Sequence, residues 1–248
     1  MIKMKRNIKY LAGITFLLIG MSIYAQPPSA LEAFTKIENY YKTVKKFNFQ
    51  IEYKMFRGYS GNEVTESYKG SIYRYGDISQ IKILGSEILQ FPEAQLTINS
   101  ENKTIRYNKI SKDVIQKSPV DVSTFLKFYK ETSAKISGNI LIYEMVLKNA
   151  QIPIPYNKII IHVNKDTFEI EKQIFYFATK VPFVDESGDE TLDSARMEIS
   201  FKQNSFTTQK VPKLNDYVFV EGNNVRLAKA YQTYTIIDQT NLQTDEQP

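Results

Sequence analysis

The chain of 248 residues has no cysteine, no tryptophan and a single histidine. Without cysteine there is no disulfide framework, no thiolate metal site and no Cys nucleophile. Nor is there a Cys to carry an N-terminal lipid. Cysteine avoidance suits an oxidising compartment. One histidine, His162, builds no multi-His metal site and no Ser-His-Asp relay unaided. Period-two alternation in Ile159-Ile160-Ile161-His162-Val163 sets it on the face opposite Ile161 and Val163, as a solvent-side strand residue. No phosphate loop, nucleophile elbow or HExxH sequence occurs. Glu87, Glu93, Asp113, Glu169 and Glu171 are scattered without the flanking-pair arrangement that glycoside hydrolysis needs, and read as surface charges. No enzyme activity, metal or cofactor is expected from these residues.

What is present begins with an export signal. Lys3, Lys5, Arg6 and Lys9 form a basic segment, and residues 11–24 an apolar one, including Ile14, Phe16, Leu17, Leu18 and Ile19. Ser22-Ile23-Tyr24-Ala25 supplies a small residue before Gln26. The apolar stretch is shorter than the ~20 residues that span a bilayer. Residues 1–25 are therefore predicted to be a cleaved signal peptide. Removing them takes four of the 32 basic residues and none of the 27 acidic ones, so the net charge falls from +5 to 28 − 27 = +1. No case for nucleic acid or an anionic membrane remains. The expected mature protein is soluble, without a stable membrane anchor, in the periplasm or secreted.

The mature chain is long enough for one sizeable domain. Residues 26–239 are predicted to form it, and 240–248 a polar tail. Ser29-Ala30-Leu31-Glu32 reads as a capping box. Leu31, Phe34, Ile37, Tyr41 and Val44 then recur at helical spacing, giving a helix over 30–45. Phe47, Phe49, Ile51, Tyr53 and Met55 alternate with Asn48, Gln50, Glu52 and Lys54, a half-buried antiparallel strand. Strands follow at 63–75, with Tyr68, Gly70 and Ile72 on one face, and at 78–84 and 87–91. A hairpin joins 95–99 to 104–108. Ser118-Pro119-Val120-Asp121 opens a second helix with Val122, Phe125, Leu126 and Tyr129 on its apolar side. Further strands are expected at 140–147, 157–163, 168–177, around Met197, Ile199 and Phe201, and at 217–220, 225–227 and 231–237. The acidic stretch 181–193 reads as an exposed loop. Strand runs with segregated helices give an α+β fold: a curved antiparallel sheet, or half-open β-barrel, with helices on its concave face.

That order of elements resembles the periplasmic lipoprotein-carrier, or LolA-like, family over about residues 31–238. The matching segments are Phe47-Asn48-Phe49-Gln50-Ile51, Gly70-Ser71-Ile72-Tyr73-Arg74, Asn102-Lys103-Thr104-Ile105-Arg106-Tyr107, the helix at 122–130, the hairpin at 158–176 and Asp216-Tyr217-Val218-Phe219. The family often has Pro after the basic residue of its second strand, where this chain has Tyr75, and 181–193 looks like an insertion. The resemblance implies a non-enzymatic periplasmic carrier of lipidated protein or lipid. Its pocket would be drawn from Phe47, Phe49, Ile51, Tyr53, Met55, Tyr68 and Ile72, with Arg57 or Arg74 at a head group. A core filled by the two helices is the alternative for the same stripe. An interaction subunit of an envelope or secretion complex, and a secreted enzyme, stay open as functions.

Overall fold

In the computed structural model, residues 26–110, 122–185, 187–204, 210–222 and 224–240 are described. Helix α1 (Ala30–Thr43) comes first. It is followed by β1 (Lys46–Arg57), β2 (Val64–Tyr75), β3 (Ile78–Ile83), β4 (Ser86–Gln90), β5 (Ala94–Asn99) and β6 (Thr104–Lys109). Helix α2 (Val122–Phe128) precedes β7 (Tyr129–Ser137), β8 (Ile140–Leu147), β9 (Tyr156–Asn164) and β10 (Ile170–Phe177). Then come β11 (Val181–Val184), β12 (Glu190–Asp193), β13 (Ala195–Gln203), β14 (Val218–Glu221), β15 (Asn224–Leu227) and β16 (Thr235–Asp238). Twelve strands make one sheet in the order β16-β6-β5-β4-β3-β2-β1-β13-β10-β9-β8-β7. All its pairs are antiparallel except β16 on β6. The sheet is curved and unclosed, and the fold is an α+β half-open barrel with its helices on the concave face.

Helix α1 starts where Ser29 Oγ accepts the Glu32 N–H at 3.3 Å. Glu32 in its first turn and Lys42 in its last suit the helix dipole. It buries Ala30, Ala33, Phe34, Ile37 and Tyr41. Leu31, expected on that face, is 63% exposed, since it stands roughly 100° from Ala30 around the axis. The helix ends at Thr43 because Val44 is already extended.

Alternation along β1 sorts the sheet into two faces. Phe47, Phe49 and Ile51 point to the helices, and Phe47 and Phe49 join the core beneath α1, together with Tyr143, Met145, Ile159, Ile161 and Ile170. A second core lies on the reverse face. The register runs from Asn48 through Tyr73, Gln80, Leu89 and Leu96 to Tyr107. Asn48 points away from α1, so Leu89, Leu96 and Tyr107 do too. Val218, Tyr217, Val225, Leu227, Tyr231 and Tyr234 cover them. The hairpin β14–β15 thus does for one half of the sheet what α1 does for the other.

Two expectations need correcting. Helix α2 stops at Phe128, and Tyr129 begins strand β7 at the sheet edge. A register shift between Glu131 and Ser133 interrupts the alternation that would have marked that strand. The start of this helix, at residues 118–121, lies outside the described residues. Segment 181–193 is not a loop throughout: β11 pairs with β12. Its turn is held by Asp185 Oδ1, which accepts the Ser187 and Asp189 N–H groups at 2.9 Å each. The tail expected at 240–248 lies outside the described residues beyond Thr240.

Gly70 allows β1, β2 and β3 to pack as they do. A Cβ there would stand 2.4 Å from the Lys82 carbonyl oxygen and 3.0 Å from Ile51 Cγ1. Backbone cannot yield as a side-chain tip can, so overpacking is costly. Gly70→Ala is expected to lower stability by about 1–3 kcal/mol. Equilibrium denaturation checks this; an unchanged midpoint would contradict the packing described.

Candidate ligand-binding face

Helix α1 crosses its face of the sheet diagonally. At its start, the Ala30 N–H donates to Glu131 Oε2 on β7 at 2.6 Å, and Tyr143 OH donates to the Pro28 carbonyl at 3.0 Å. At its end, Arg74 Nη1 donates to the Tyr41 carbonyl at 2.7 Å, and Tyr41 OH accepts the Ile170 N–H at 3.2 Å. Under that diagonal the predicted stripe is a filled core. The Phe47 ring meets Tyr41 edge-on at 5.8 Å and lies 5.3 Å from Phe49. Phe47, Phe49 and Ile51 are all buried.

Beyond the diagonal the same stripe is half covered. Tyr53 and Met55 are partly exposed and Tyr68 is 37% exposed. The Tyr53 and Tyr68 rings lie 5.8 Å apart. Across the register, Tyr53 faces Ile199 and Met55 faces Met197, which faces Phe175. The Phe175 ring is 4.9 Å from Tyr156. Burial, then the negative charge of Glu66 and the neighbouring Tyr156 and Tyr68, raises the Tyr53 hydroxyl above its ordinary pKa. The result is an aromatic and thioether band with neutral hydroxyls, continuous with the core and open at one end. Apolar surface of this kind takes up hydrocarbon, and Met gives it adaptability.

The expected pocket residues therefore divide. Phe47, Phe49 and Ile51 are buried and Ile72, opposite Phe49, packs against the core, while Tyr53, Met55 and Tyr68 lie along the exposed band. Ile199, Met197, Phe175 and Tyr156 were missed as band members. Their alternation marked strands, but only the register puts them beside β1.

The two arginines differ. Arg74 is 6% exposed, donates to Tyr41 and to the Gly76 carbonyl at 2.9 Å, and lies 5.9 Å from the Phe47 ring centroid. It fastens the helix end. Arg57 follows Met55 on the band side. Its Nε donates to Asp193 Oδ2 at 3.0 Å, its Nη2 donates to Thr191 Oγ1 at 2.9 Å, and the guanidinium lies 5.6 Å from the Phe183 ring. Its side chain stays 32% exposed. Hydrogen bonding to Arg57 holds the Asp193 carboxyl below its usual pKa.

The reverse face of this half is polar. Glu198 pairs with Lys172 and with Arg196 Nε. Arg196 lies 4.0 Å from the Phe56 ring. Burial pushes Glu198 up, but hydrogen bonds and charge from Lys172 and Arg196 outweigh it and leave the carboxyl below its usual range. The other carboxylates hold structure. Glu87 accepts from Gln80 and from Tyr217 OH, Glu169 accepts from Tyr40 OH, and Glu171 accepts from Asn164 Nδ2. Asp113 lies outside the described residues. Among the described residues no three His, Asp or Glu side chains gather as a metal-holding group. No helix of the described residues is long and apolar enough to cross a membrane.

No protein-family model matches the chain, and no curated protein does. Solved structures similar to it include an uncharacterized conserved protein from Thermus thermophilus, at 10% identity and a TM-score of 0.42, covering 84% of this chain and 98% of that one. A LolA superfamily protein from Nitrosomonas europaea matches at 12% identity and a TM-score of 0.32, covering 75% and 96%. The MucA/MucB complex from Pseudomonas aeruginosa matches at 11% identity and a TM-score of 0.39, covering 80% and 63%. A LolA superfamily protein and the MucA/MucB complex are thus among its structural neighbours. With every one of these TM-scores below 0.5, the functional reading rests on this chain's own geometry.

His162, half-buried in the polar face, gives a pH test. Burial, then Lys172, lowers its pKa below the ordinary 6.5. The unfolded chain then binds more protons just below pH 6.5, so stability rises with pH in that window. The contribution is complete above pH 6.5 and is lost as pH falls through the folded-state pKa. Denaturant titrations at about pH 7.5 and about pH 5.5 should show a smaller loss in His162→Gln than in the wild type. Equal losses would contradict this.

Proposed function

We propose that the chain is an exported, non-enzymatic carrier or binding protein for lipids or acylated proteins, with Tyr53, Met55, Tyr68, Ile199, Phe175 and Tyr156 as its acyl-binding surface. The observation behind this is the apolar stripe that leaves its helical cover half-way along β1. Each CH₂ transferred from water to such a surface contributes ~0.8 kcal/mol. A few acyl carbons then give useful affinity without an ion pair. Of the two expected head-group cations, Arg57 suits the role better. It borders the band and its present partner Asp193 is solvent-exposed, whereas Arg74 is buried against the helix. Residues 1–25 act as the signal peptide in this reading, 26–239 as one domain and 240–248 as a tail. The location is the periplasm, or the exterior.

A specific observation favours protein binding as a second reading. In the hairpin β11–β12, Phe183 turns inward beneath Arg57 while Val184 and Leu192 are 68% and 62% exposed. An envelope protein partner would cover these two side chains. Crosslinking from position 192 that yields one stoichiometric protein partner, with no lipid recovered, would favour it over the carrier reading.

The carrier reading is tested by extracting lipid from protein purified from cells and by titrating an acylated peptide. The wild type should yield bound lipid. Tyr68→Asp alters an exposed position, so it should fold normally and bind the acylated peptide about tenfold or more weakly, because a carboxylate resists transfer to an apolar contact. Recovery of no lipid, with no binding of the acylated peptide, would overturn the proposal.

A further inference from the structure

Four polar side chains are buried among the described residues: Arg74, Gln80, Gln173 and Arg196. Arg74 and Arg196 hydrogen-bond to backbone carbonyls, and Gln80 to Glu87. Gln173, 8% exposed, has no hydrogen bond from its amide to any described residue. The amide is not wholly sealed: among the described residues the fully enclosed side-chain atom without a partner is Asn108 Oδ1. Gln173 stands on the helix-side face of β10, opposite Ile199 on one side and Ile161 on the other. The full row is Tyr68, Tyr53, Ile199, Gln173, Ile161, Tyr143. Ile161 and Tyr143 are closed core, at 1% and 0% exposure, and Ile199 and Tyr53 are half-buried. The amide therefore sits where the filled core gives way to the open band.

An amide largely withdrawn from water without a partner destabilises the protein that contains it. An aliphatic residue of equal length would fit the row without that penalty. We propose that Gln173 is the polar anchor of the band, its side-chain N–H donating to the carbonyl of an acyl ester or amide whose hydrocarbon lies along Tyr53, Met55 and Tyr68. This rests on the acyl-binding reading and narrows its ligand class: carbonyl-bearing acyl chains bind in preference to plain hydrocarbon. A site built to hydrogen-bond a ligand group disfavours analogues that lack it.

The test uses the mature protein and displacement of a hydrophobic dye by methyl laurate or by tridecane. The wild type should prefer the ester about tenfold, the effect of one hydrogen bond made in a desolvated site. Gln173→Met keeps the length and removes the donor. It should bind tridecane as the wild type does, lose the preference for the ester, and unfold at no lower denaturant concentration. Equal affinities in the wild type, or a preference that survives in Gln173→Met, overturn the role of Gln173 and leave the band standing. Displacement by neither probe overturns the acyl-binding reading as well. Infrared spectroscopy of carbonyl-labelled methyl laurate decides the matter in the wild type alone, should the variant misfold. A stretch lowered relative to the ester in alkane is expected; an unshifted one, with an ordered water as the partner of Gln173, contradicts the anchor.

Discussion

Tyr41 is held from two sides. Its carbonyl accepts from Arg74 on β2, and its hydroxyl accepts the Ile170 N–H at the start of β10. Burial and the hydrogen bond to the chain keep the phenol in place, and its pKa is raised by the same burial. This junction pins the end of α1 to the end of β2 and the start of β10, while Glu131 and Tyr143 pin its start to the far edge of the sheet. A rod fixed at opposite corners of a face leaves the other corners uncovered. The partly exposed state of Tyr53, Met55 and Tyr68 follows from where the helix is tied. Burying Arg74 lowers its pKa, and the nearby Asp77 offsets part of that. Truncating one partner in such a buried contact removes more than a hydrogen bond, because the remaining group loses its compensation.

The second core explains why the sheet tolerates such an uneven cover. An open sheet needs each apolar face buried against something. Here the burden is split: helices on one face of the β1 to β8 half, and the β14–β15 hairpin with Tyr217, Tyr231 and Tyr234 on the reverse of the β3 to β6 half. The Phe91, Tyr217, Tyr231 and Tyr234 rings follow one another at 6.4, 5.4 and 5.1 Å, so this second cover is itself an aromatic layer.

Much of this was legible in the sequence because period two and period 3.6 are strong signals. The capped helix, the stripe from Phe47 to Met55, the strand Ile140–Leu147 and the hairpins were all visible as patterns. The direction of the stripe was visible too, but not its division into a filled and an open part. That division depends on where Arg74 meets Tyr41, a contact across 33 positions. Likewise nothing in the strand pattern sets Gln173 apart. Its significance comes from standing beside Ile199 and Ile161, which only the register reveals. Strand β7 was hidden by its bulge, and β11–β12 by the acidic turn between them. Leu31 was placed on the wrong side because spacing alone does not choose between neighbouring faces of a helix.

The central claim is that hydrocarbon lies along the open end of the stripe. It is tested most directly by titrating the mature protein with acyl chains of increasing length, from about eight to about fourteen carbons. If the chain lies along Tyr53, Met55 and Tyr68, affinity should rise by about fourfold per added CH₂, the equivalent of ~0.8 kcal/mol, until the band is filled. Affinity independent of chain length would contradict the account.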